Sequence, residues 1–353
     1  MPYEMDELLR TAVATEASDL HITVNLPPVF RRSGALEYAG ADKLTADETE
    51  KLLDPLMNDD LKQQFAEKGE VDFSHTIRGT GRFRVNVFRQ RKSYAAAFRV
   101  IRPLIPSIDE LRLPPILKDL AMSKNGMFLV TGHTGSGKST TLASMIRHIN
   151  ETKGCHLITI EDPIEYVHPH GRSLINQREV NDDTLCFSSA LRAALREDPD
   201  VILVGEMRDI ETIATAVTAA ETGHFVMSTL HTSSAVQTIE RVIDVFPPHQ
   251  QQQVRTQLAM TLTAVLSQHL VPRADGTGRV AAVELMIVND AVRNIIREGK
   301  TYQLETVMQT SMKHGMVPMD HNLAALTRAG IITKESGLLY CHDPEMYHRY
   351  LTA

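Results

Sequence analysis

Hydrophobic positions change their spacing along the chain, and each change predicts a different kind of element. In residues 1–100 helical and alternating patterns are mixed. "MDELLRTAVATEA" places Leu8, Leu9, Ala12 and Val13 at helical spacing, while "DLHITV" and "VFRRSGAL" read as strands parted by the turn signal Asn25-Leu26-Pro27-Pro28. Thr45 followed by Glu48 has the form of a capping box, and a second helix is expected from there through Leu56. In "RFRVNVF" the alternation sets Phe83, Val85 and Val87 on one face and Arg82, Arg84 and Asn86 on the other, with Arg89 to Ser93 as a polar turn.

Pro103, Pro106, Pro114 and Pro115 then mark a connection, placed at 101–112. Beyond it the short apolar runs "MFLVTG", "HLITIED", "VILVGE" and "HFVMSTL" alternate with longer helical patterns. That rhythm predicts an α/β domain with a parallel, doubly wound sheet over 113–288. From "NDAVRNIIREGK" onward, 289–353, the pattern is helical.

Length and composition agree with such a division: 353 residues, 42% hydrophobic and 23% charged, suggest two or three domains. No apolar run nears the roughly 18 residues a membrane span needs, and the first residues lack the basic flank and apolar stretch of a signal peptide, so a cytoplasmic location is expected. Cys155, Cys186 and Cys341 form no paired motif, and the histidines show no helical metal spacing. A net charge of −7 counts against broad nucleic-acid binding. Against that background the cluster Arg82, Arg84, Arg89, Arg91, Arg99 and Arg102 calls for a partner: nucleic acid, a membrane surface, or a ligand of the protein itself.

The chemistry concentrates in four stretches. "GHTGSGKST" satisfies G-x-x-x-x-G-K-[ST] between a predicted strand and a predicted helix. Its Thr134, Gly135, Ser136, Gly137, Lys138, Ser139 and Thr140 are expected to cradle a triphosphate with backbone N–H groups. Lys138 would reach the β- and γ-phosphates, and the Ser139 hydroxyl would ligate Mg²⁺. "ITIEDPIEY" ends a strand on Glu161, "DPDVILVGEMRD" ends another on Glu206, and "MSTLHTSSA" ends a fourth on His231. In a parallel sheet these ends open on one edge with the glycine loop, so both carboxylates are candidates to position water and the imidazole to report on the γ-phosphate. Either glutamate alone could equally cap a helix. His224 has weaker support.

Taken in this order, the glycine loop, the acidic box "TIEDPIEY", the strand "DPDVILVGEMRD" and the histidine box "TAAETGHFVMSTLHTSSA" resemble the motor ATPases of secretion systems and type IV pili. "AVRNIIRE", 291–298, is similar to the A-I-R-N-L-I-R-E motif of the PilT-type retraction motors, with Val292 and Ile295 as departures; the accessory PilU-type motors fit that motif less well. His133 stands where the family commonly has proline, and Glu206 where a metal-binding aspartate would otherwise end the strand.

The resemblance implies a RecA-like ATPase core, a smaller N-terminal PAS-like α/β domain and a C-terminal helical segment. It implies a homohexamer that hydrolyses ATP with Mg²⁺, acts on the inner-membrane platform protein of the pilus, works in some cases beside a second retraction ATPase, and sits peripherally at the cytoplasmic face of that membrane. It assigns Arg82 and Arg84 as cross-domain arginines that reach the nucleotide, with Arg99 a weaker member. A nucleic-acid translocase and a scaffold that binds nucleotide without hydrolysing it are the competing classes; the acidic total charge opposes the first, and the intact set of Lys138, Glu161, Glu206 and His231 opposes the second.

Overall fold

A computed structural model of the chain describes residues 3–32, 34–101 and 104–352, so Arg102 and Pro103 of the expected connection lie outside the described residues. The chain divides into two compact units, Met1–Leu104 and Ile105–Ala353.

The first unit runs α1 (Met5–Ala14), β1 (Asp19–Ile22), β2 (Val29–Arg32), β3 (Ala35–Tyr38), α2 (Ala46–Leu53), α3 (Asp59–Lys68), β4 (Glu70–Ile77), β5 (Gly81–Gln90) and β6 (Ser93–Ile101). Its strands form one antiparallel sheet in the order β3-β2-β1-β6-β5-β4, the PAS-like domain. The capping box at α2 is formed: Thr45 N–H donates to Glu48 Oε2 at 2.9 Å and Thr45 Oγ1 accepts from the Glu48 N–H. Leu9, Leu20, Leu53, Phe65, Phe83, Val85 and Phe98 fill the core between helices and sheet.

Two readings need correction. "VFRRSGAL" is two strands, β2 and β3, paired antiparallel with Arg32 opposite Ala35. The polar turn after β5 is only Arg91-Lys92, both at positive φ (50° and 68°), as a two-residue hairpin on a right-twisted ribbon requires. Arg89 therefore belongs to the strand, and its guanidinium lies over the Phe65 ring, 5.1 Å from the centroid.

The second unit runs α4 (Ile116–Ala121), β7 (Gly126–Thr131), α5 (Lys138–Thr152), β8 (His156–Glu161), β9 (Leu174–Glu179), α6 (Phe187–Ala194), β10 (Val201–Val204), α7 (Ile210–Glu221), β11 (Phe225–Leu230), α8 (Ala235–Asp244), α9 (Pro248–Thr261), β12 (Leu262–Pro272) and β13 (Arg279–Ile287). The helices α10 (Asp290–Glu298), α11 (Leu304–Thr310), α12 (Met319–Arg328), α13 (Lys334–Tyr340) and α14 (Pro344–Thr352) follow. The sheet order is β13-β12-β7-β11-β10-β8-β9, parallel except for β13.

Every residue of β7, β10 and β11 is buried, because helices cover both faces. Ile158, Ile202, Val204, Ala219 and Leu258 pack on one side; Phe128, Val130, Ile146, Leu203 and Phe225 pack on the other. Val292, Ile295 and Ile296 of α10 join the first of these cores, so the helix of the 291–298 motif turns its apolar face to the ATPase sheet. Among the described residues no helix is long and apolar enough to cross a membrane.

Candidate functional site

β7 ends at Thr131 and α5 begins at Lys138, and the six residues between them must turn the chain without blocking the helix end. Gly132, Gly135 and Gly137 hold φ of 143°, 78° and 92°, values a side chain rarely adopts. A Cβ on Gly132 would meet the Gln268 carbonyl oxygen at 2.3 Å, and one on Gly137 the Gln268 side-chain nitrogen at 2.7 Å, whereas beside Gly135 there is open space. The first and last glycines let the loop press against β12; Gly135 leaves room for a ligand.

No side chain caps α5, so the N–H groups of its first turn remain available to an anion. Ser136 Oγ is buried without a hydrogen-bond partner among the described residues and packs against Gly132, where a Cβ would meet it at 2.5 Å. Lys138 Nζ folds back to donate to the Gly132 and His133 carbonyls at 2.8 and 3.1 Å. Burial lowers its pKa, against the pull of the Glu206 and Glu165 carboxylates, so the ammonium is poised to gain from an added negative charge. His133 and Thr134 are exposed at the loop tip, and Thr140 Oγ1 shares a 2.8 Å hydrogen bond with Tyr166 Oη.

The parallel strands deliver the other expected residues to the same edge. Glu161 ends β8 and accepts from Thr159 Oγ1 at 2.6 Å and Gln177 Nε2 at 3.2 Å. Desolvation, only partly offset by these bonds, pushes its carboxyl up to about 7. It shares a small cavity with Ser139, Tyr166, His168, Gly205 and Thr229.

Glu206 follows β10, where its Oε1 accepts from Arg208 Nε at 2.6 Å and lies 3.1 Å from His231 Nε2. Burial disfavours its ionised form, but Arg208 and His231 outweigh that and hold the carboxyl below its ordinary value. Gly205 is needed behind it, since a Cβ there would sit 3.2 Å from the Ile160 carbonyl. His224 lies at the opposite end of β11, bonded to the Ala219 carbonyl.

Ser139, Glu161, Tyr166 and Thr229 bring oxygen atoms to this cavity, the chemistry that suits Mg²⁺, and His168 stands beside them with an imidazole. Among the described residues no group of three or more His, Cys, Asp or Glu could hold a metal by itself. Beside Gly137 and Thr140 opens a cavity of about 250 Å³, walled by Leu113, Gln268, Leu270, Arg273 and Arg279.

Arg82, Arg84 and Arg99 belong to the first unit. Arg84 is exposed on β5 opposite Arg99 on β6; Arg82 Nη2 donates to Ser74 Oγ at 2.6 Å, and Arg99 Nε to Asp19 Oδ1 at 3.0 Å.

Several residues of the edge escape a motif reading. Gln268 clamps the loop from β12, with Nε2 donating to the Ser136 carbonyl at 2.7 Å and Oε1 accepting from Thr141 Oγ1 at 2.8 Å. Arg208, two positions after Glu206, and Thr159 and Tyr166, inside the acidic box, have a signal in the chain; Gln268 and Gln177 depend on strand pairing and have none.

A glycine loop open on an uncapped helix, a buried lysine and a Glu–His pair on the neighbouring strand ends of a RecA-like sheet define a P-loop ATPase. The family model for type II/IV secretion system proteins matches residues 106–333. A twitching motility protein of Neisseria gonorrhoeae is 49% identical over 95% of this chain and 89% of its own. A type IV pilus retraction ATPase, PilT, of Pseudomonas aeruginosa is 46% identical over 98% of this chain and 100% of its own. Among solved structures, the pilus retraction motor PilT with bound ADP superposes with a TM-score of 0.92 at 49% identity, covering 98% of this chain and 99% of that one. The chain belongs to the type II/IV secretion system family of ATPases, in its PilT-type branch.

Proposed function

We propose that the chain is the ATP-hydrolysing subunit of a hexameric motor for type IV pilus retraction. The observation that supports this most is the full-length similarity to retraction ATPases, together with Lys138 in the glycine loop, Glu161 in one cavity with Ser139, and His231 against Glu206.

In this reading the phosphates lie on the N–H groups of residues 134–140, and the ribose and base enter the cavity beside Gly137 and Thr140. Lys138 exchanges its two carbonyl partners for phosphate oxygens. Glu206 orients the attacking water and takes its proton, which requires Arg208 to release the carboxylate it holds. His231 keeps Glu206 aimed and senses the γ-phosphate through the same contact. Ser139 and Glu161 are the residues that would hold Mg²⁺, which, when bound, neutralises charge on the β- and γ-phosphates. Arg82 and Arg84, with Arg99 on the paired strand as a weaker member, are assigned to the γ-phosphate of the assembled ring; such arginines contribute ~10³–10⁵ in rate.

The proposal extends to the inner-membrane platform protein as the part that is moved, to a second retraction ATPase as a partner, and to the cytoplasmic face of that membrane as the place of work. It keeps the division into 1–100, a linker at 101–112, an ATPase core at 113–288 and a helical part at 289–353, and it includes no nucleic acid. Deleting the gene is expected to leave cells piliated but unable to retract. Loss of pili altogether would instead mark an extension motor and overturn the reading.

A further inference from the structure

Glu284 lies in the middle of β13, paired with Ser267 of β12, and is only 3% exposed. A buried carboxylate is costly unless it is held, and two segments distant in sequence hold this one. Its Oε1 accepts the N–H of Ala235, the first residue of α8, at 2.8 Å. Its Oε2 lies 3.6 Å from His342 Nδ1, in the link between α13 and α14. That link is itself pinned, since the N–H groups of His342 and Asp343 donate to the two oxygens of Asp320 on α12.

The end of α8 that Glu284 grips is the end nearest the catalytic edge. Only Thr232, Ser233 and Ser234 separate His231 from Ala235. The Thr232–Thr238 and Ser233–Gln237 hydroxyl contacts lie within this segment and its own helix, so they move with it. The other side-chain tie of the helix start to the sheet, from Thr238 Oγ1 to Thr131 Oγ1, is long at 3.5 Å. A displacement of the α8 start would therefore carry the imidazole away from Glu206.

We propose that Glu284 is a positioning residue for hydrolysis: it fixes the start of α8 and thereby holds His231 against Glu206, and the C-terminal segment reaches the catalytic edge by the same route, through His342. This rests on the roles given to His231 and Glu206 above.

The test is a double-mutant cycle on the full-length, assembled protein, reading kcat for ATP and the Kd for ADP. Glu284→Met removes the acceptor at similar size and is expected to lower kcat about tenfold, the loss of one buried hydrogen bond, with ADP affinity within about twofold of wild type. Glu284→Gln keeps an acceptor for Ala235 and is expected to restore kcat to within about threefold. In a His231→Ala background Glu284→Met is expected to cost nothing more, because the group it positions is gone. His342→Ala is expected to lower kcat about threefold and to be silent in the same background.

An equal loss in both backgrounds, or a parallel loss of ADP binding, would make Glu284 merely structural and overturn the proposal. An unchanged kcat for His342→Ala would overturn the C-terminal route. His231→Ala alone separates the two levels: wild-type turnover there removes the role of His231 and this proposal with it, whereas a slow His231→Ala enzyme with additive Glu284→Met removes this proposal only. If Glu284→Met fails to assemble, Glu284→Asp, which withdraws the oxygen by one methylene, is expected to give the same cycle.

Discussion

Replacing Gln268 by leucine removes the clamp that holds the glycine loop to β12. The side chain is 3% exposed and spends both ends on the loop and its helix, through the Ser136 carbonyl and the Thr141 hydroxyl. Leucine fills much of the space but leaves both groups buried without their partner. At about 1–2 kcal/mol for each, the second unit should lose about 2–4 kcal/mol. For a unit of this size that corresponds to a fall in Tm of roughly 5–15 °C.

Function should suffer separately, since a loop no longer pressed into shape must be ordered by the nucleotide, and ADP is expected to bind about tenfold more weakly. Calorimetry and titration with a fluorescent ADP measure the two effects. A variant that melts within about 1 °C of wild type and keeps its ADP affinity would show that the loop holds its shape without Gln268.

The raised pKa of Glu161 makes a prediction about pH. Without nucleotide, its contribution to stability is fully present below its ordinary 4.5 and is lost as pH rises through about 7, so Glu161→Gln should gain in Tm relative to wild type across that window; a difference constant from about pH 5 to 8 would exclude it. Arg84→Ala, which changes an exposed side chain on β5, should lower the ATPase rate of the assembled ring by at least about tenfold without unfolding the first unit. Unchanged hydrolysis and ATP affinity would remove Arg84 from the nucleotide's neighbourhood.

What the chain disclosed in advance was whatever local pattern controls. The runs that became β7, β8, β10 and β11 are apolar because helices cover both sheet faces, and the parallel order of those strands carries Glu161, Glu206 and His231 to the glycine loop. The outer part of the sheet was not legible, at the edge strand β9 and at β12, next to the edge. β9, "LINQRE", alternates with polar residues, and β12 is interrupted by Ser267, Gln268 and His269, two of which are buried for their hydrogen bonds to the loop region rather than for hydrophobicity.

The same blindness hid Gln268 and Glu284. Each is a polar residue whose meaning comes from a partner about fifty or more positions away, Ser136 and Thr141 for one and Ala235 and His342 for the other. The hairpin of the first unit failed in a smaller way: Arg89 reads as part of a turn because it is charged, but it lies in β5 with its guanidinium over Phe65.

The most direct measurement of the account is the ATPase rate of Glu206→Gln beside its affinity for ATP. The substitution keeps the size of the side chain and an oxygen for Arg208 and His231 to approach, but removes the base. Hydrolysis is predicted to fall by at least about 10²-fold while ATP binds within about threefold of wild type. Turnover at the wild-type rate would contradict the assignment of Glu206, and with it the catalytic edge on which the motor reading depends.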